Sequence, residues 1–588
     1  MNTIAAKFWS VLSPAWWAGP IFGKELRVSS RRRRNYVLRF AYVALLAAFL
    51  MLFWAEAVPS TSSGLYRASQ MAEVGRAVVV FLVWFQFIAL QVVAGVMLST
   101  SISDEIYHGT LGLLMTTPIT SLQIVTGKLL SKLLQLVLLL GISLPLLAIV
   151  RVFGGVPWMF IVVSLCITLT TLVFIGSLSL FFSIFSKRAY VVIIWNLLTL
   201  VTLFALLPIF VGLAFHGPFT VSQFFQVLSY LNPYVRLFYE TDAVTSARTF
   251  LGSWSWAVHC GLMLGVSALL LLLSVSTVRK VALRQATGQL GTSRSKHRPG
   301  PALPAESQPP SFAAPRRVSG SPVAWKELRT PLVGRRKVAF VVCLTVGLAL
   351  LLLSYGLFAR ENALDEDFCH MGYGELFLAT GILFSTILPA TCISSEKEAR
   401  TWPLLLTTTL RDRQILFGKF AGAARRCAPA WCLLLGHVLV FTLAGIIHPV
   451  AVVQLAILAT GVHVFLSGTG LYFSSRFKKT TTAVIVNFFL AGVVWALVPI
   501  LLQFASLAYY DFDGLVAVYA CTNPFVQVAT VLDATTGWSA LDSYWWPGMR
   551  SLNAIQSTTW MLYCMIGYIA LGAFACWRAK RRLRRNVF

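Results

Sequence analysis

The sequence predicts an all-α integral membrane protein with twelve transmembrane helices, arranged as two parallel six-helix repeats. Three observations carry this prediction. Apolar residues make up 57% of the 588 residues and charged residues only 12%, which is about half the charged share of a soluble domain. Apolar runs of roughly 20 residues recur, and each is long enough to cross about 30 Å of hydrocarbon as a helix. A 27-residue segment also occurs twice.

The predicted spans form two groups of six. In the first half they lie near 38–57, 77–101, 129–150, 157–185, 190–214 and 254–278. In the second half they lie near 338–358, 374–394, 428–448, 449–475, 481–508 and 557–577, with only His448 and Pro449 for the tightest turn. The predicted domains are residues 1–284, a six-span repeat with an N-terminal interfacial helix; residues 285–320, a flexible cytoplasmic linker rich in Pro, Gly and Ser; and residues 321–588, the second repeat.

The repeated segment relates the two halves. Residues 102–128 (ISDEIYHGTLGLLMTTPITSLQIVTGK) align without a gap with residues 393–419 (ISSEKEARTWPLLLTTTLRDRQILFGK) at an offset of 291, and 12 of 27 positions are identical. The same offset pairs Asn196 with Asn487, and the dipeptide at 232–233 with that at 523–524. We interpret the chain as a tandem duplication. An even number of spans per half makes the repeats parallel rather than inverted.

Positive charge lies mainly on one side of the predicted membrane. With the N-terminus inside, 39 of the 48 Lys and Arg residues fall in cytoplasmic segments and seven in exterior loops. Such asymmetry orients helices during insertion, and the basic segments attract anionic membrane lipids. We therefore expect a multi-pass protein of the cell membrane, inner or plasma, with both termini cytoplasmic and with no nucleic-acid partner.

The first interfacial helix is predicted from Trp and Phe residues that precede Lys24 and an arginine run, because aromatic and cationic side chains together suit the headgroup layer. A disordered basic leader is the alternative. The sequence Lys24-Glu25-Leu26-Arg27 returns as Lys326-Glu327-Leu328-Arg329 before the seventh span, which favours the helix.

Each repeated segment lies between the second and third spans of its half, on the cytoplasmic side. An acidic start leads into a short apolar stretch, two threonines follow, and a lysine closes the segment. Acids at the start of a helix complement its dipole. A short helix between two spans is often only a tether, but two copies in register suggest that both halves bind something similar.

The pattern E-x-x-x-G-T-L-x-x-L-x-x-T-P, followed by Q-I-x-x-G-K, resembles the permease subunits of ATP-binding-cassette exporters of type 2. The resemblance implies two fused six-span permeases whose coupling helices dock on a dimer of ABC ATPase subunits. In the first copy, the residues that match the family's coupling-helix pattern are Glu105, Gly109, Thr110, Leu113, Leu114, Thr117 and Pro118. In the second copy they are Glu396, Thr401, Leu404, Leu405 and Thr408, with departures at Arg400, Trp402, Pro403 and Thr409.

The sequence contains no G-x-x-x-x-G-K-[ST] motif, so we expect no cofactor bound by this chain itself; ATP and Mg²⁺ would be used by the partner ATPase. No catalytic residues and no metal ligands are assigned, and the chain is not expected to be an enzyme. Within the spans the paired Asn196 and Asn487 are candidate pathway residues, although helix–helix hydrogen bonding explains such residues equally well.

We therefore expect the membrane part of an ABC exporter that moves a small or lipid-like molecule. Two alternatives stay open: a non-transporting regulatory or assembly factor coupled to an ATPase, and a secondary carrier. The carrier is disfavoured because the spans lack carboxylates. The substrate, the direction and the oligomeric state stay open, as does a disulfide between Cys369 and Cys521.

Overall fold

The computed structural model describes residues 19–31, 64–114, 116–151, 156–186, 189–208, 221–245, 255–286, 321–329, 337–360, 364–499, 513–536, 543–548 and 551–584, with a few single residues between these ranges. Residues 287–320 of the predicted linker 285–320 and most of the first predicted span lie outside these residues, while residues 285 and 286 are the last of a helix. Within the described part the secondary structure is helical, apart from isolated bridges such as Ile447 with Thr536.

The first half consists of α1 (Gly19–Ser30), α2 (Gly64–Leu98), α3 (Ser103–His108), α4 (Thr110–Leu114), α5 (Ser121–Arg151), α6 (Trp158–Phe185), α7 (Ala189–Val201), α8 (Val221–Leu231), α9 (Pro233–Thr245) and α10 (Ser255–Ala286). The second half consists of α11 (Pro322–Arg329), α12 (Lys337–Arg360), α13 (Asp367–Thr391), α14 (Ser394–Glu398), α15 (Trp402–Leu406), α16 (Asp412–Leu443), α17 (Val450–Arg476), α18 (Thr480–Gly492), α19 (Asp513–Cys521), α20 (Pro524–Thr535) and α21 (Ala554–Arg582).

The all-α membrane fold predicted from the sequence is confirmed. Nine helices in the described residues are long and apolar enough to cross a membrane, or ten if α19 and α20, which meet at 78°, count as one span. The count of twelve spans stays a prediction. One boundary was wrong: α16 ends at Leu443 rather than near 448, and residues 444–449 form the turn because Gly445 has a left-handed φ of 79°.

The two halves meet through their second and fifth helical spans in a reciprocal way. Helix α2 of the first half contacts α18 of the second, and α13 of the second half contacts α7 of the first. The shared core contains Val96 with its counterpart Ile387 and Ile193 with its counterpart Val484. Such an interface, in which each half contributes the same surface, is typical of a twofold arrangement. The duplication itself stays a prediction from the sequence.

The repeated Asn-Pro dipeptide lies at the junction of the two short helices that follow the fifth helical span, between α8 and α9 in the first half and between α19 and α20 in the second. Helices α7 and α18 each continue into a π-helical turn, at Thr202–Leu206 and Val493–Leu497. The side chain of Asn232 donates to the carbonyl of Phe204 at 2.8 Å, and that of Asn523 donates to the carbonyl of Trp495 at 2.8 Å. Because a π-turn disturbs the regular hydrogen-bond ladder, each asparagine supplies a donor where the ladder is disrupted.

Candidate functional site

Both repeated segments fold into the same pair of short helices. In the first copy α3 and α4 are joined at Gly109, which has a left-handed φ of 74°. In the second copy α14 and α15 are joined through Arg400, which has a φ of 57°. A glycine adopts this conformation freely, whereas a side chain with a Cβ is strained there. The second copy therefore forms the same turn with an arginine in place of the glycine, and the backbone of Arg400 is strained there.

The repeated threonines hold these turns through local hydrogen bonds. The hydroxyls of Thr110 and Thr401 donate to the carbonyls of the glutamates five residues earlier, at 3.4 and 3.3 Å. Thr117 donates to the Leu114 carbonyl at 2.5 Å, and Thr408 to the Leu405 carbonyl at 2.6 Å. The first two bonds satisfy carbonyls in α3 and α14, and the other two satisfy carbonyls at the ends of α4 and α15. Local folding therefore explains these threonines.

One leucine on each segment projects into solvent. Leu113 is 70% exposed and its counterpart Leu404 is 69% exposed. Leu111 and its counterpart Trp402 are fully buried and anchor the two short helices on the bundle. Of the remaining predicted site residues, Leu114 and Leu405 are half-buried, and the exposed ones are Gly109, Thr117, Pro118, Thr401 and Thr408.

The two repeated glutamates face inward. Glu105 accepts from Nζ of Lys128 at 2.9 Å, and also from the hydroxyl of Thr110. Glu396 accepts from Nζ of Lys419 at 2.5 Å. Lys419 is buried and the glutamates are partly buried. In each half, an ion pair thus ties the segment to the base of the third span, and the glutamate carboxylate is engaged within the protein.

In the second copy the ion pair extends to the interfacial helix α11. Nζ of Lys419 also donates to Glu327 at 2.6 Å, and Arg426 lies 3.3 Å from the other oxygen of the same carboxylate. Burial alone would raise the pKa of Glu327, but Lys419 and Arg426 hold that pKa below its ordinary value. Helix α11 approaches α16 closely because Gly418 and Gly422 lack side chains: a Cβ on Gly418 would lie 2.7 Å from the nitrogen of Ala324.

Sequence reasoning did not identify this ion-pair network. The signal was present in the Lys-Glu-Leu-Arg repeat and in the lysine that closes each segment. The first half differs, because Gln135 stands where the second half has Arg426. Glu25, the counterpart of Glu327, lines a polar cavity of about 150 Å³ together with Lys128 and, from the second half, Lys479. That cavity lies between the halves, beside the first segment.

The two paired asparagines differ in their hydrogen bonding, and their role as pathway residues stays a prediction. Asn487 is fully buried and accepts from Thr469 at 2.8 Å, while its amide donates to the carbonyl of Thr386 at 2.9 Å. It therefore acts as a helix–helix bond. Asn196 is equally buried, but its amide atoms have no hydrogen-bond partner within the described part of the chain.

The described residues also bear on a possible metal site and on the disulfide between Cys369 and Cys521. Among the described residues there is no group of three or more His, Cys, Asp or Glu that could hold a metal ion. Cys369 and Cys521 are both buried free thiols, so the disulfide left open above is absent from this structure.

Residues 20–281 match the family described as ABC-2 family transporter protein. The match covers most of the first half of the chain and somewhat less than half of the whole chain. The resemblance found in the sequence is thereby confirmed for this half, and together with the apolar helices the match supports a multi-pass membrane protein of the ABC permease type. The ABC-2 permease family implies partnership with ABC ATPase subunits. A search of curated proteins gives no match.

Proposed function

We propose that the chain is the complete membrane part of an ABC exporter, driven by a separate ATPase that binds the segments 102–128 and 393–419. The observation that carries this proposal is the equal exposure of Leu113 and Leu404, at 70% and 69%, on short helices that are otherwise anchored inside the bundle. An apolar side chain held outward on a rigid element suits a pocket on a partner protein.

The ion pairs connect these short helices to the membrane-spanning helices. A displacement of α15 acts on Glu396, then on Lys419 at the base of α16, and through Glu327 on α11. Rigid connections of this kind let a small shift at one surface rearrange a packed bundle. ATP-driven closure of an ATPase dimer would draw the two segments together and rock the halves about their reciprocal interface.

The orientation follows from the same elements. The N-terminal helix α1 packs on α5, where Gly19 approaches Gln123, and near the C-terminus Arg584 contacts Asp412 at 2.9 Å. Both ends of the described chain therefore lie beside the segments. With the basic residues of these regions, this supports cytoplasmic termini in the cell membrane and basic surfaces that contact anionic lipids. The scarcity of charge within the spans favours a lipid-like or amphipathic substrate.

Co-purification from the native host tests the proposal. We compare the tagged wild type with Leu113→Asp, Leu404→Asp and the double variant, and use Leu328→Asp, another exposed leucine, as the matched control. One ATPase that co-purifies with the wild type and the control, but is lost from the double variant, supports the proposal. Recovery of no ATPase with the wild type would overturn it.

A further inference from the structure

A buried arginine lies at the end of the first half that is opposite the segments. Arg236 on α9 has a side chain that is 3% exposed. One guanidinium nitrogen, Nη2, donates to Glu240, while Nε and Nη1 have no hydrogen-bond partner in the described part of the chain. Three N–H hydrogens of this buried cation thus have no acceptor among the described residues. A buried cation is costly unless its donors are paired, and such groups are often found at functional sites.

A second buried polar group with an unclaimed atom lies near Arg236. His259 on α10 is fully buried, and its Nδ1 pairs with the carbonyl of Tyr230 at 2.9 Å. Because a carbonyl only accepts, Nδ1 carries the hydrogen, and Nε2 has no partner among the described residues. His259 is close enough to Arg236 for the two to interact electrostatically.

Helix α2 holds α9 in place in this region. Helix α9 is bonded to α2 at two places: Tyr234 donates to Gln91 at 2.6 Å, and Trp84 donates to Thr241 at 3.1 Å. Trp84 and Gln91 are seven residues apart and therefore lie on one face of α2, which packs against α9. Arg236 on α9 and His259 on α10 are thus two buried polar groups with unpaired atoms on neighbouring helices.

This region is far from the ATPase-facing surface. The other end of α10, at Val278, shares a core cluster with Leu111 of the first segment. Nineteen residues of helix separate Val278 from His259, or about 28 Å at 1.5 Å per residue. The second half has a neutral residue at the position of Arg236, because Gln527 stands there and donates to the carbonyl of Cys521 at 2.9 Å.

We propose that Arg236 binds an anionic oxygen group, a phosphate or a carboxylate, of the molecule that the first half handles. Hydrogen bonds from a guanidinium to an anion are among the strong ones in proteins, and they gain strength away from water. This proposal deepens the proposed function by naming the substrate class and rests on it. It also makes the two halves unequal, with the anion site in the first.

The test uses the full chain in nanodiscs of phosphatidylcholine, titrated either with phosphatidylglycerol in the bilayer or with inorganic phosphate in the buffer. The readout is the rise in thermal unfolding midpoint, since a ligand bound to the folded state stabilises it. Arg236→Gln places the natural residue of position 527 at its counterpart. Arg151→Gln is the matched control, because it removes one positive charge at a site where Arg151 stacks on Trp158 at 4.2 Å.

We expect wild type and Arg151→Gln to respond alike, and Arg236→Gln to need about tenfold more titrant or not to respond. The titrant that acts on the wild type identifies a lipid headgroup or a free anion as the source. If Arg236→Gln does not fold, Arg236→Gln/Glu240→Gln removes the unpaired carboxylate and takes its place. Variants that titrate like Arg151→Gln would overturn the proposal. No ATPase is involved, so this result is independent of the co-purification test.

Discussion

Removal of Lys419 should release the second segment from the bundle. The Lys419 side chain is 3% exposed and pairs with Glu396 and Glu327, which are 19% and 11% exposed. Replacing it by methionine leaves two largely buried carboxylates, and only Glu327 keeps a second cation, Arg426. Breaking one side of a buried ion pair costs about 3 to 5 kcal/mol. At tenfold per 1.4 kcal/mol, local opening becomes at least about a hundredfold more frequent.

Hydrogen exchange measured by mass spectrometry detects this opening, because amides in a locally unfolding segment exchange in proportion to its open population. We expect exchange in residues 394–406 to accelerate by about a hundredfold in Lys419→Met, while residues 103–114 stay unchanged. Lys128→Met should accelerate residues 103–114 by only about tenfold, because its single partner Glu105 is 25% exposed and partly hydrated.

Two further variants sharpen the result. Lys419→Met/Glu327→Gln/Glu396→Gln removes the stranded charges and should restore much of the protection, whereas Lys478→Met, at an exposed lysine, should change nothing. Equal exchange rates of residues 394–406 in Lys419→Met and in the wild type would show that the ion pairs do not hold the segment on the bundle.

Three more predictions follow from the geometry. Arg400→Gly should stabilise the second segment by about 1 kcal/mol, seen as slower exchange in residues 394–406, because the left-handed φ of 57° suits glycine. Asn232→Ala should lower the thermal midpoint, because the carbonyl of Phe204 loses a donor worth about 1 to 3 kcal/mol. The pKa of Glu327 is lowered in the folded protein, so its contribution to stability is complete above the ordinary glutamate pKa and is lost as the pH falls through the folded-state pKa. Hydrogen exchange in residues 322–329 should therefore rise at that low pH. Glu327→Gln should abolish this pH dependence.

Hydropathy predicted most of the helices because a membrane helix needs an unbroken apolar run. It misplaced the turn after Leu443, because Ile446 and Ile447 continue the apolar run through a segment that is not helical. There Ile447 bridges to Thr536, which lies 89 positions further along the chain, and a composition window does not register such a contact.

The segments were predictable as elements but not in their internal contacts. The register of the two copies located the exposed Leu113 and Leu404, and the repeated glutamates and lysines were visible as identities. Their pairing across 23 residues was not, because a charge beside a membrane is equally compatible with lipid contact. The second copy departs from the sequence pattern at Arg400, yet this residue adopts the same left-handed conformation as Gly109 in the first copy.

Photo-crosslinking identifies the protein that contacts the two exposed leucines. A benzophenone amino acid placed at position 113 or 404 of the full chain, with position 328 as control, is irradiated in cells of the native host, and the captured proteins are identified by mass spectrometry. We expect positions 113 and 404 to capture the same protein, one that carries a G-x-x-x-x-G-K-[ST] motif, and position 328 not to capture it. Capture of proteins without an ATP-binding motif at both positions would contradict this prediction.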